Sequence, residues 1–126
     1  MKIKKVFIID NDPKFRMFIN EFLSHKPGLK IVGEAADWRQ ALEKIKDLKP
    51  DLLLADIRIR GRGNFNAIRL FRRIIPDLKV IIMTIFDNPE YREAVEQSGA
   101  LGYVVKSNFN RDLMPLVRKV IRMKGK

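Results

Sequence analysis

Four residues able to do chemistry together each follow a short apolar run: Asp10 after Val6–Ile9, Asp56 after Leu52–Ala55, Thr84 after Val80–Met83 and Lys106 after Tyr103–Val105. Any one of them alone fits a blander role, ending its strand or capping the next helix. Two acids, a hydroxyl and an ammonium at four such ends form a less ordinary set. If the runs are parallel strands of one sheet, their ends share one edge, where open α/β sheets bind ligands. Carboxylates brought together repel and need a cation. Lys106 supplies one charge, and a bound Mg²⁺, a hard ion that prefers oxygen ligands, is expected to supply the rest.

The elements that must position these residues alternate along the chain. The four runs, with a weaker one at Ile31–Val32, are short and undiluted by polar residues, as parallel strands buried on both faces require. Between them lie helical spacings. Phe15, Phe18, Ile19 and Phe22 form one stripe, Trp38, Ala41, Leu42 and Ile45 a second, and Ala67, Leu70, Phe71 and Ile74 a third. Tyr91, Ala94 and Val95 begin a fourth helix, which "SGALG" closes with a glycine. Leu113, Leu116, Val117 and Val120 mark the last. Asp12–Pro13 reads as cap and first residue of the first helix. In "NRDLMPLVRKVIRM", Asp112 as the cap would put Pro115 in the first turn, where its missing N–H does no harm. The last helix is therefore expected to begin within a residue or two of Asp112, with Arg118, Lys119 and Arg122 on its outer face. Five strand–helix units argue for a parallel sheet with helices on both faces. No linker or repeat interrupts residues 1–126, which read as one domain.

Composition narrows the function classes. The chain has 126 residues, 46% of them hydrophobic, enough for a proper core. Without cysteine, neither a disulfide nor a thiolate metal site can form. The apolar run near the N-terminus is cut by Asp10 before it reaches signal-peptide length, and no stretch approaches the roughly 20 residues of a membrane span. A cytoplasmic protein with no membrane partner is expected. Twenty-six Lys and Arg against fifteen Asp and Glu give a formal charge of +11, which favours acidic partners. No aromatic residues interleave with the basic ones as in a single-strand binding groove.

The segments "VFIIDNDPKFR", "PDLLLADIRI", "VIIMT" and "SGALGYVVKS" together resemble, in order and spacing, the receiver domain of bacterial two-component response regulators. The resemblance covers essentially the whole chain. It implies a flavodoxin-like (βα)5 fold with strand order 2-1-3-4-5. It also implies that Asp56 accepts a phosphoryl group from a histidine kinase or phosphotransfer protein. Asp10, Asp56 and the backbone carbonyl of Arg58 would hold Mg²⁺, Thr84 and Lys106 would contact the phosphoryl oxygens, and Thr84 and Tyr103 would switch on activation. The domain would be a switch rather than an enzyme, with at most slow self-phosphorylation and dephosphorylation. Pairing of two copies through the last helices is a further implied partner state. Nucleic acid would be a partner only through an output domain outside this chain, and "RKVIRMKGK" reads equally as a terminus or as a cut linker.

Three residues depart from the family's pattern. Asn11 stands where a second acid is usual, so it is a doubtful ligand and Mg²⁺ should bind weakly. Arg60 replaces a usual proline and, with Arg58 and Arg62, forms either a solvated loop or a basic rim that attracts phosphate donors. Ile85 follows Thr84 where a small residue is usual, and could shield the phosphoryl site. These departures favour an alternative, an interaction module of the same fold switched by partner binding without phosphorylation. A flavodoxin-type cofactor protein is a third class, disfavoured because an acidic crevice repels a flavin phosphate. Direct nucleic-acid binding is a fourth, testable by its salt dependence.

Overall fold

The undiluted apolar runs do bury both faces: Val6–Ile9, Leu52–Ala55 and Val80–Met83 are wholly inaccessible to solvent. The computed structural model describes residues 2–56, 63–85 and 89–123. Its elements alternate as β1 (Lys4–Ile9), α1 (Pro13–Ser24), β2 (Leu29–Ala35), α2 (Trp38–Leu48), β3 (Leu52–Asp56), α3 (Gly63–Ile74), β4 (Lys79–Thr84), α4 (Pro89–Ser98), β5 (Gly102–Val105) and α5 (Phe109–Ile121). All strand pairings are parallel, in the order β2-β1-β3-β4-β5. The flavodoxin-like topology expected from the sequence is present.

The period-two alternation of each strand divides the core into two layers. Phe7, Ile9, Leu53, Ala55, Val80 and Ile82 pack against α2, α3 and α4. Val6, Ile8, Leu52, Leu54, Ile81 and Met83 pack against α1 and α5. Pairing between β1 and β2 shifts register after Val6, so that Val6 lies opposite Ile31 and Phe7 opposite Gly33. A Cβ at Gly33 would sit 2.8 Å from the Phe7 ring and 2.9 Å from Leu48 Cδ1, so only glycine lets β2 pass so close. At the end of α4, Gly99 takes φ of +94°, the left-handed stop anticipated from "SGALG".

Two helices differ from the sequence reading. Ala67, Leu70, Phe71 and Ile74 are not the inner stripe of α3. That helix buries Ile68 and Phe71, with Ile75 just beyond its end packed behind them, while Leu70 is 41% exposed. The segment "AIRLFRRII" is apolar at both phases, and Phe71 belongs to each. Stacking of Phe71 on Trp38 of α2, with ring centroids 5.3 Å apart, goes with the phase that faces Ile68 inward.

The last helix begins at Phe109, continuing a 3-10 turn at Lys106–Asn108, and not at Asp112. Pro115 therefore lies inside the helix. What outweighs it is Phe109, which is buried against the rings of Phe15, Phe18 and Phe22 at centroid distances of 5.4, 5.5 and 5.5 Å. Burying such a side chain contributes roughly 1.5–3 kcal/mol, and each aromatic pair about 0.5–1.5 kcal/mol more. An interior proline costs about 3 kcal/mol, so the extra turn wins. Pro115 and Arg111 are both exposed, which lets the orphaned Arg111 carbonyl turn to water. Pro115→Ala should restore that bond and stabilise the fold by about 1–2 kcal/mol, the gain being reduced by the looser unfolded chain. Urea denaturation reads this directly, and a lower midpoint in the variant would show that the helix carries no proline penalty. Arg118, Lys119 and Arg122 are exposed, as expected of the outer face.

Candidate functional site

Parallel register brings the strand ends together. Asp10 follows β1 and still donates its N–H to the Ala35 carbonyl of β2 at 3.0 Å. Asp56 closes β3 opposite Met83 of β4. Thr84 closes β4 opposite Val105, the residue before Lys106. At that edge the Lys106 ammonium donates to Asp10 Oδ2 at 2.7 Å and to Asp56 Oδ2 at 2.8 Å. Both carboxylates are wholly buried and Lys106 nearly so. The ammonium also lies 4.3 Å from the centre of the Phe15 ring, whose negative face favours a cation. Asp10 Oδ1 accepts the Asp12 N–H at 2.9 Å, which fixes the carboxylate's second oxygen.

The Lys106 ammonium thus bridges two buried carboxylates. The Asp10 carboxyl sits above its ordinary value of 3.8. Burial is the main cause and the Asp56 charge adds to it, against the opposing pull of hydrogen bonds from Lys106 and the Asp12 backbone and of the Lys106 charge. The carboxylate oxygens of Asp10 and Asp56 fit a hard divalent cation such as Mg²⁺. Among the described residues no three acidic or histidine side chains gather, so the acids available are the Asp10–Asp56 pair. Asp12 is occupied elsewhere, its Oδ1 capping α1 by accepting the Lys14 N–H at 3.0 Å. Asn11 is exposed on the bend between Asp10 and Asp12. Arg58, Arg60 and Arg62 lie outside the described residues.

Thr84 is buried at the same edge, and Ile85 beyond it is 46% exposed. Tyr103, half-buried on β5, accepts a hydrogen bond at its hydroxyl from Arg92 Nε of α4, with the guanidinium carbon 5.5 Å from the ring centre. Phe15 beneath Lys106, Arg92 beside Tyr103 and Arg16 behind Asp10 escaped the sequence reading. Phe15 was legible only as one member of an apolar stripe, and nothing in the spacing of either arginine marks its partner.

A family model described as the response regulator receiver domain matches residues 6–118. The chain belongs to that family. The receiver is 32% identical over 116 residues to the response regulator GacA of Pseudomonas syringae pv. syringae, which covers 92% of this chain and 54% of the relative. It is 30% identical over 119 residues to the response regulator protein VraR of Staphylococcus aureus, covering 94% and 56%. The chain thus spans about half the length of these curated relatives. Among solved structures, it is similar to the signal receiver domain of the response regulator NarL from Mycobacterium tuberculosis, with a TM-score of 0.87, 27% identity and coverage of 98% and 100%. The isolated receiver domain of RcsB from Salmonella enterica serovar Typhimurium, at 23% identity and a TM-score of 0.87 over 99% and 93%, shares the fold. The receiver is accordingly a switch domain of two-component signalling. Among its described residues no helix is long and apolar enough to cross a membrane.

Proposed function

We propose that residues 1–126 act as one phosphorylatable receiver, with Asp56 as the acceptor of a phosphoryl group from a histidine kinase or phosphotransfer protein. The observation that carries this is the buried Asp10–Lys106–Asp56 cluster at the carboxyl ends of the strands. A carboxylate oxygen of Asp56 forms the new bond to phosphorus as the donor's bond to phosphorus breaks. Charge on the phosphoryl oxygens then needs a fixed partner, and Lys106, already held at that carboxylate, supplies one. The Thr84 hydroxyl, buried at the same edge, would donate to the new anion and carry its presence toward Tyr103. Asp10, Asp56 and the Arg58 carbonyl would hold Mg²⁺, which when bound would neutralise charge on the transferring group. The domain is a cytoplasmic switch with at most slow phosphorylation and dephosphorylation of its own. Its partners beyond the kinase depend on what the rest of the protein carries, including any nucleic-acid-binding output. Pairing of two copies through α5 would have to set Arg118, Lys119 and Arg122 against acidic residues of the neighbour.

Incubation with a small-molecule phosphodonor and Mg²⁺ should add one phosphoryl group, and Asp56→Asn should remove it. A second reading, switching by partner binding alone, draws on the two-acid site with an amide at Asn11, and takes over if neither donor nor kinase modifies the wild type. The amide at Asn11 also yields a prediction about the ion. Asn11→Asp should tighten Mg²⁺ binding about tenfold or more, since at an effective dielectric near 20 a unit charge a few ångströms away is worth several kcal/mol before desolvation. Calorimetric titration measures it. Unchanged affinity would mean that the exposed Asn11 side chain points away from the ion.

A further inference from the structure

Behind Asp10 lies a polar network that neither the phosphoryl chemistry nor the fold accounts for. Asp10 leaves the strand just where β2 ends, so its carbonyl has no strand partner there. Arg16 of α1 takes that place, donating from Nη1 to the Asp10 carbonyl. The same guanidinium donates from Nε to Glu34 Oε1 at 3.0 Å, and its side chain is only 18% exposed. Glu34 is held in turn, its Oε2 accepting from Asn20 Nδ2 at 2.8 Å. Asn20 Nδ2 also donates to the Arg16 carbonyl at 2.9 Å, closing the network on α1. A planar guanidinium ties a strand-end carbonyl to a carboxylate from two edges in fixed directions, a constraint that an ammonium on a flexible stem imposes less rigidly.

We propose that Arg16 is a positioning residue for the cation site: anchored by Glu34 and Asn20, it fixes the Asp10 carbonyl and so the pose of the Asp10 carboxylate. The proposal rests on Asp10 and Asp56 holding a divalent cation. Asp10 is then constrained on every side, by Arg16 at its carbonyl, Ala35 at its N–H, Asp12 at Oδ1 and Lys106 at Oδ2. Of these, Arg16 alone reaches the turn from the surface of α1, and it touches neither carboxylate oxygen. Supporting groups of this kind typically change metal affinity roughly 10–100-fold when removed.

Charge and position pull in opposite directions here, which makes the test sharp. By charge alone, deleting the Arg16 cation should tighten Mg²⁺ binding. By position, it should loosen it. Calorimetric titration of Mg²⁺ into the full chain should show Arg16→Gln binding roughly 10–100-fold more weakly than the wild type. Arg16→Lys should also bind more weakly, despite keeping the charge. Glu34→Ala should bind weakly too, and the Arg16→Gln/Glu34→Ala pair no worse than the poorer single variant, because the two act as one unit. Thermal midpoints in chelator would be read alongside. A midpoint that falls while Mg²⁺ affinity stays at the wild-type value would reduce Arg16 to a structural tie and overturn the proposal, as would tighter binding in Arg16→Gln. Should Arg16→Gln fail to fold, Arg16→Lys and Glu34→Ala carry the same comparison. A wild-type chain that binds no Mg²⁺ would sink the cation site itself, a failure distinct from unaltered affinity in the variants.

Discussion

Lys106→Met should slow the phosphorylation of Asp56 by about a hundredfold or more, the loss typical when one fixed donor to developing charge is removed. The same change should destabilise the fold at neutral pH. It strips the ammonium from two wholly buried carboxylates, and breaking a buried ion pair in this way costs on the order of 3–5 kcal/mol. The pH dependence follows from the causes acting on Asp10. Lys106 leads the groups that hold its carboxyl down against burial, with the Asp12 backbone N–H beside it, so without Lys106 that carboxyl must rise further above 3.8. A carboxyl raised in the folded state contributes stability below its unfolded value, and that contribution is lost as pH rises through the folded value. The gap between variant and wild type should therefore widen from acid toward neutral pH, and Mg²⁺ should narrow it. Phosphodonor kinetics and urea denaturation across that range would check both parts. A variant as stable as the wild type at neutral pH would mean that the two acids are neutralised by something other than Lys106.

Asp10→Asn should have the opposite effect on stability and a comparably large one on the ion. The Asp10 carboxyl is raised, so its ionised form is a burden on the folded state at neutral pH. An amide of the same shape removes that burden, and in chelator the variant should unfold at a higher temperature than the wild type. Mg²⁺ binding should fall about a hundredfold or more, because a buried unit charge some 4 Å away is worth on the order of 4 kcal/mol at an effective dielectric of 20. Added Mg²⁺ should therefore raise the midpoint of the wild type by ligand linkage and leave that of the variant nearly unmoved. Thermal unfolding with and without Mg²⁺ measures both. A variant less stable in chelator would show that the hydrogen bonds of Asp10 outweigh the desolvation of its charge.

Much of this was legible in the chain because the relevant signals are local and redundant. Each strand is an apolar run ending in a polar residue, and parallel pairing then leaves Asp10, Asp56, Thr84 and Lys106 at one edge whatever the detail of the helices. Asp12–Pro13 and Gly99 carry their own backbone instructions and sit where those instructions place them. Signals that depend on packing were less legible. The α3 segment is apolar at two helical phases, and the stacking of Phe71 on Trp38 goes with only one of them. Proline chemistry argued for a late start to α5, yet burial of Phe109 among three α1 rings extends it by a turn. The Arg16–Glu34 and Arg92–Tyr103 contacts join residues far apart in sequence, and neither partner's type announces the other.

The central question is whether Asp56 takes the phosphoryl group. An acyl phosphate can be trapped by borohydride, which reduces the phosphorylated carboxyl to an alcohol and leaves homoserine in place of aspartate. The wild-type chain would be incubated with a phosphodonor in the presence of Mg²⁺ or of chelator, reduced, digested and mapped by mass spectrometry. Homoserine at position 56, formed with Mg²⁺ and absent in chelator, is the predicted result. Homoserine at Asp10 or Asp12, or none at any position after exposure to donor and kinase alike, would contradict it.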